Sequence, residues 1–294
     1  MNFSFIIGLI SGFGLVIYGM WSSASSTSQA VSSFINLPSV YITIGGSIAA
    51  TVMSVPLKYL KDVPKNVRLL MRKDKINLEQ YIEAIVELAK EARLKGLLVL
   101  EQKVNNIELQ DDFLKLCTML IVDAIEPSKV RTQIENEINC IEARHASTWS
   151  VFDKCAAFGP AFGMMGTLVG LINMLANMDP TGGADALGKG MSTALVTTFY
   201  GSVLANLICI PISNRLKAMH EEEMIVKELI MEGVLSIQSG ENPKYIEGKL
   251  KTYISYKDRE TSGSVEDQVE GKKKSKAKKV KKEKKSKQGE VNNA

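Results

Sequence analysis

The sequence predicts an all-α integral membrane protein, with four transmembrane helices paired as two hairpins (2 + 2) and a helical cytoplasmic domain. Three observations carry this. The apolar residues of the 294-residue chain fall into four blocks, each about 20 residues long, which is the length a helix needs to cross a hydrocarbon core of about 30 Å. Lysine and arginine cluster at one end of the blocks, with Lys189 alone at the other. The long polar segment between the second and third blocks repeats its apolar residues at helical spacing.

The first block, Phe3 to Trp21, has no charged residue. It lacks a basic leader and no A-x-A site comes after it, so it reads as a retained helix and not as a signal peptide. A serine-rich, uncharged link (Ser22 to Asn36) leads to the second block, Leu37 to Leu57, also uncharged. Lys58, Lys61, Lys65, Arg68, Arg72, Lys73 and Lys75 come directly after it. The third block, Cys155 to Met178, is joined to the fourth, Met191 to Ile212, by a short link holding Asp179, Asp185 and Lys189. Arg215 and Lys217 lie just past the fourth. Basic residues mark cytoplasmic flanks. Both termini and the middle segment are therefore expected in the cytoplasm, with the two short links outside.

From Leu78 to Lys95 the residues Leu78, Tyr81, Ile82, Ile85, Ala89 and Ala92 form one apolar stripe. Asn77 with Gln80 reads as a capping box, and Gly96 as a break. Asp111 to Glu126 reads as a second helix. Pro127-Ser128 opens a third, whose stripe (Val130, Ile134, Ile138, Ile141, His145) runs straight into the third block. Arg215 to Ser239 extends the fourth block in the same way. Spans three and four are thus expected to be long rods that leave the membrane. The expected organisation is residues 1–57 for the first helix pair, 58–150 for the cytoplasmic domain, 151–213 for the second pair, 214–255 for a cytoplasmic helical extension and 256–294 for a tail.

The tail carries eleven lysines between Lys272 and Lys287 against one acid, Glu283. Up to Gly271 there are 25 basic and 30 acidic side chains, so the positive net charge does not describe the folded part and indicates no nucleic-acid partner. The tail has too few apolar residues to fold. It reads as a solvated segment, or as one that holds anionic lipid.

Several chemistries drop out. Cys117, Cys140, Cys155 and Cys209 form no C-x-x-C pair, and His145 and His220 are the only histidines. No phosphate-binding glycine loop, nucleophile elbow or H-E-x-x-H is present. No enzyme, metal centre or bound cofactor is expected.

Small residues recur about every fourth position in the blocks: Gly8 and Gly12; Gly45, Gly46, Ala49 and Ala50; Gly159, Gly163, Gly166 and Gly170; Gly201 and Ala205. Such stripes let helices approach closely in lipid. The third block is the extreme case, and its glycine face is expected to form a functional or subunit-facing wall. No span holds an ionisable residue well inside it, although ion-conducting proteins place one there. Hydroxyls alone are on offer: Thr167, Ser192, Thr193, Thr197, Thr198 and Ser202. If ions pass, a partner chain supplies the carboxylate and these oxygens coordinate the cation. The plainer alternative is hydrogen bonding back to their own helix carbonyls.

The stretch Ala143-Arg-His, then Val151-Phe, then Gly159-Pro-Ala-Phe-Gly-Met-Met-Gly-Thr-Leu-Val-Gly-Leu-Ile-Asn-Met-Leu, resembles the MotA/PomA family of bacterial flagellar stator subunits. So do Ala194-Leu-Val-Thr-Thr-Phe-Tyr-Gly and Gly233-Val-Leu-Ser-Ile-Gln-Ser-Gly-Glu-Asn-Pro. The resemblance covers residues 1 to 255 in topology and motif order. It also extends to the wider TolQ/ExbB superfamily, which is the alternative reading: a channel subunit energising an outer-membrane process. The 2 + 2 arrangement favours the flagellar branch.

The resemblance implies a homopentameric ring in the bacterial cytoplasmic membrane, around a MotB-like partner whose single span carries the ion-binding aspartate. It implies transport of Na+ or H+ and a push on the rotor protein FliG. Arg93 and Glu101 match the family's rotor-contact charges, with Leu94 where sodium-type members carry a basic residue. Pro160 and Pro211 match the prolines of the third and fourth spans and imply conformational coupling. Thr167, with Thr197 and Thr198 opposite it, matches the ion pathway. Threonine at Thr167 points to sodium ahead of protons.

Overall fold

The computed structural model describes residues 3–22, 34–70, 77–106, 109, 111–176 and 184–254. Among these, all regular structure is helical. The expectations for residues 23–33, 71–76 and 177–183, and for the lysine tail, lie outside the described residues. Four helices are long and apolar enough to cross a membrane, and they coincide with the four blocks.

The chain divides into two compact units. The first holds the described residues of Met1–Ile76 and Asn136–Met224. The second holds those of Asn77–Glu135 and Ile225–Ala294. This differs from the linear division expected from sequence. Residues 58–70, 136–150 and 214–224 group with the first unit, and residues 225–254 group with the second.

In the first unit, α1 (Phe3–Ser22) is largely exposed, with Ile7, Ile10, Leu15, Ile17 and Tyr18 all uncovered. Phe5 packs against the cluster of Leu70, Phe152, Ile212 and Leu216, and a methyl group at Gly12 would sit 2.8 Å from the Leu207 side chain. Helix α2 (Leu37–Ser54) is capped by the Asn36 side chain, which accepts the Ser39 N–H at 3.1 Å. Val40–Gly45 within it is a π turn. It ends at Ser54 and not at Leu57, because Val55 precedes Pro56 and is held extended (φ −133°). Helix α3 (Leu57–Leu70) is basic on one side and buries Leu70 against Phe152, Ile212 and Leu216.

Helix α7 (Pro127–Ala176) is an unbroken rod of 50 residues. Helix α8 (Ala184–Val203) passes through a π turn (Leu204–Cys209) into α9 (Ile210–Gln238). The third and fourth apolar blocks are thus continuous with helix beyond them, on the side where each was expected to extend. In the first unit α7 and α9 are tied by Asp153, which accepts from the Ser213 hydroxyl at 2.6 Å and from Lys217 at 2.7 Å. The Nδ1 atoms of His145 and His220 lie 3.1 Å apart, so one ring donates and the other accepts.

The second unit packs α4 (Leu78–Lys95), α5 (Leu100–Asn106), α6 (Asp112–Val122), the start of α7, the end of α9 and α10 (Pro243–Leu250). Ile85, Leu88, Leu114, Ile121, Leu229, Ile230 and Ile246 are fully buried there. Asn77 caps α4 through the Glu79 N–H, without a Gln80 counterpart among the described residues. Gly96 breaks the chain at φ +84°, a conformation that favours glycine. Helix α5 and the 3-10 turn Leu97–Val99 before it were not expected from sequence. Helix α6 is shorter than expected, stopping at Asp123–Ala124, where Ala124 turns left-handed (φ +52°).

Asp111 is the hub of this unit. Its carboxylate caps α6 by accepting from the N–H groups of Phe113 (2.8 Å) and Leu114 (3.1 Å). It also accepts the Tyr81 hydroxyl (2.9 Å) and Lys227 (3.4 Å). The Lys227 ammonium lies 4.8 Å from the centre of the Phe113 ring. Burial works against the charged carboxylate, but Lys227, the two N–H groups and the Tyr81 hydroxyl outweigh it and hold Asp111 below the usual range.

Candidate functional site

Two seams organise the membrane helices of the first unit. Along the first, α2 turns a buried row of hydroxyls, Ser39, Thr43, Ser47 and Thr51, inward at four-residue spacing. The Asn36 amide donates to the Thr193 hydroxyl at 2.9 Å, and Ser39 donates to the Thr193 carbonyl at 3.3 Å. Thr43 donates to the Thr197 carbonyl at 3.3 Å. Ser47 and Thr51 turn back to the carbonyls of Thr43 and Ser47, at 2.6 and 2.7 Å. Every hydroxyl in the row is satisfied, as burial requires. The row is readable in the sequence as S-x-x-x-T-x-x-x-S-x-x-x-T, but it is not among the expected sites.

The second seam is the glycine face of α7, and it meets α8 of the same chain. A methyl group at Gly159 would sit 2.9 Å from the Gly201 carbonyl oxygen, and one at Gly163 would sit 3.3 Å from the Thr198 Cα. One at Gly166 would sit 2.5 Å from the Thr197 side chain, and one at Gly170 would sit 2.7 Å from the Ala194 nitrogen. The face expected to form a functional or subunit-facing wall is filled by α8 instead. Only glycine allows backbones this close.

The three candidate threonines therefore separate. Thr197 is fully buried inside the glycine seam, and its hydroxyl donates to the carbonyls of Thr193 (3.0 Å) and Ala194 (2.8 Å). It does not share an accessible face with the other two. Thr198 is exposed and donates weakly to the Ala194 carbonyl at 3.4 Å. Thr167 is half-buried, one turn beyond Gly163, and donates to the Met164 carbonyl at 2.6 Å. Among the described residues no hydrogen bond joins Thr167 to Thr198. The back-bonding alternative describes all three hydroxyls as they stand.

The uncovered face of the fourth span reads Met191, Leu195, Thr198, Ser202 and Asn206. Its first part is apolar and the rest polar, on a helix long enough to cross a membrane. Asn206 was missed in the sequence because an amide carries no charge to mark it. Its Nδ2 donates to the Ser202 carbonyl at 3.1 Å.

The two prolines behave differently. Pro160 lies exposed within α7, which continues through it as α-helix. Pro211 stands just past the π turn Leu204–Cys209. A proline ring collides with the carbonyl four residues back, here that of Leu207. The wider turn relieves that collision.

In the second unit, Arg93 lies in the last turn of α4 and Glu101 in the first turn of α5. Both side chains are exposed, and neither enters an ion pair among the described residues. Their neighbours do: Lys95 with Glu91 at 2.8 Å and Lys103 with Glu87 at 2.7 Å.

Residues 103–229 match the model of the MotA/TolQ/ExbB proton channel family. The chain is 38% identical over 259 residues to motility protein A of Borreliella burgdorferi, covering 88% of this chain and 96% of that one. It is 34% identical to the chemotaxis protein PomA of Vibrio alginolyticus, covering 87% and 96%. Its fold matches the flagellar MotAB stator complex from Bacillus subtilis with a TM-score of 0.77 at 33% identity, covering 87% of this chain and 97% of that one.

Proposed function

The chain belongs to the MotA/TolQ/ExbB proton channel family, in its motility protein A branch, and from that membership we propose how its surfaces divide the work of a flagellar stator. It is a multi-pass membrane subunit of the stator that couples ion flow to torque on the rotor. Together with a MotB-type partner, the ring it forms makes the ion channel. Its family role is that of a channel subunit and not of an enzyme.

One observation carries the division. The fourth span presents an uncovered polar face (Thr198, Ser202, Asn206), and Thr167 follows Gly166 of the seam on the third, yet no span holds Asp, Glu, Lys, Arg or His well inside it. The binding carboxylate is the aspartate of the partner, and this face lines the other side of the path. Thr167 and Thr198 supply oxygens to the ion, which we take to be sodium. Thr197 serves the path from behind by holding the glycine seam. Pro160 and Pro211 are the joints, and Pro211 is the stronger because its π turn already departs from α geometry. Five copies surround the partner, with both termini in the cytoplasm. Arg93 and Glu101 push against FliG.

The test is swimming speed in a flagellated cell lacking its own stator and expressing this chain with its partner. Sodium is replaced by potassium at fixed pH and ionic strength. Speed that collapses without sodium supports the threonine assignment. Equal speed in both media means that protons drive the motor and returns Thr167 and Thr198 to packing.

A further inference from the structure

The corner between α4 and α5 carries two leucines that the fold does not use. Leu94, in the last turn of α4, is 80% exposed, and Leu98, in the 3-10 turn, is 75% exposed. They are the most exposed large apolar side chains among the described residues of the second unit. Nearby leucines behave in the opposite way, since Leu88 and Leu100 are fully buried. The exposure comes from the local chain path. Leu94 falls on the polar face of α4, and Gly96 turns the backbone at φ +84° before the 3-10 turn presents Leu98.

A lone surface leucine is ordinary. These two are framed by charge. Arg93 adjoins Leu94, and Glu101 lies one turn past Leu98. Both charges are exposed and unpaired among the described residues, whereas Lys95 and Lys103 are tied down by Glu91 and Glu87. Charges left free on either side of uncovered apolar side chains are what a docking surface presents before its partner arrives. Exposed ion pairs hold weakly and fade with salt. Charge sets register and approach, while a dry apolar centre supplies the hold.

We propose that Leu94 and Leu98 form the apolar centre of the rotor contact. They seat on an apolar ridge of a rotor helix that offers an acid to Arg93 and a base to Glu101. This rests on the reading that Arg93 and Glu101 face the rotor. A second copy of this chain is the competing occupant.

The experiment uses the full chain with its partner in a stator-deleted cell, and tracks bead rotation while units engage and leave one by one. Leu94→Ser with Leu98→Ser should shorten the dwell of an engaged unit by about tenfold, because lost interface contacts appear mainly in dissociation. The mass of the extracted complex should be unchanged. Leu94→Met with Leu98→Met should keep the wild-type dwell. Unchanged dwell in the serine variant would overturn the proposal. So would a serine variant whose ring fails to assemble, since the leucines would then face a neighbouring copy. Arg93→Glu with Glu101→Lys reports separately. If it abolishes torque while the serine variant turns normally, only the apolar centre falls. If it too turns normally, the rotor reading falls with it.

Discussion

Gly201 tests the glycine seam most directly. A side chain there would overlap the Gly159 carbonyl oxygen, with its Cβ 3.1 Å from the carbonyl carbon and 3.3 Å from the Gly163 Cα. All three are backbone atoms, so no rotamer change makes room. Carbon–carbon contacts settle at about 3.5–4.0 Å. The two helices must therefore part by several tenths of an ångström along a seam that also holds Gly163, Gly166 and Gly170. For Gly201→Val, overpacking of this kind costs about 3 kcal/mol, the upper end of the usual range. The gain in helix propensity over glycine returns only about 0.4 kcal/mol. At about 2–4 °C per kcal/mol for a chain of this size, the extracted complex should melt about 5–10 °C lower. Gly8→Val is the control: nothing lies within 4 Å of a Cβ there, so the unit itself should keep its melting temperature. Thermal unfolding of the stator complex in detergent, with swarming as the functional readout, decides the matter. A Gly201→Val complex that melts with wild type would refute the seam. One that melts normally but conducts no ions would return the glycine face to the functional wall read from the sequence.

Asp111→Ala removes a helix cap worth about 1 kcal/mol and strands Lys227 with its side chain 12% exposed. Breaking a buried pair from one side costs about 3–5 kcal/mol, and hydrogen exchange should show the α6 amides opening first. Asp111 is held below its ordinary value, so its stabilisation is present above the unfolded value of 3.8 and is lost as pH falls through the lower folded value. Acid titration of unfolding should therefore be shallower in Asp111→Asn than in wild type; identical curves would exclude the hub. Thr43→Val deletes one donor to the Thr197 carbonyl without changing shape. It should destabilise the complex by about 0.6–1.7 kcal/mol, the range of hydrogen bonds between membrane helices. Thr43→Ser should restore the wild-type melt, and no change in either variant would mean that the α2 row holds nothing.

The four spans were legible because an uncharged block of this length has few other uses, and the rods because the stripe from Val130 to His145 keeps its period up to the third block. What stayed hidden is which face meets which neighbour. Thr197 and Thr198 are adjacent, about 100° apart around the helix, so burying one exposes the other. The pattern alone does not choose between them. The glycine face is equally ambiguous in sequence, since a second copy and a neighbouring helix of the same chain ask for the same small residues. Helix α5 was obscured because Leu97-Leu-Val-Leu100 is a continuous apolar run with no readable period. The division into units escaped a linear reading because residues 225–254 complete the core begun at Ile82 and Ile85.

The π turn at Leu204–Cys209 left Pro211 as its only trace in the sequence, and its role can be read from the contacts on either side. Ahead of it, Ala194, Thr197 and Gly201 meet the glycine face of α7. Beyond it, Ser213 and Lys217 meet Asp153, and His220 meets His145. A π turn amounts to one residue inserted into α geometry, which rotates the rest of the helix by about 100°. It therefore absorbs the extra residue between two sets of contacts that must both face α7. Removing Leu204 together with Pro211→Ala should turn the segment into plain α-helix with both sets in register, and the complex should assemble. Removing Leu195 instead takes a residue from true α-helix, rotates one set away from α7 and should abolish assembly. Membrane extraction and complex mass distinguish the two. If the Leu204 variant assembles but does not swim, the turn is a working joint of the motor. If it fails to assemble while the Leu195 variant succeeds, the register argument is wrong.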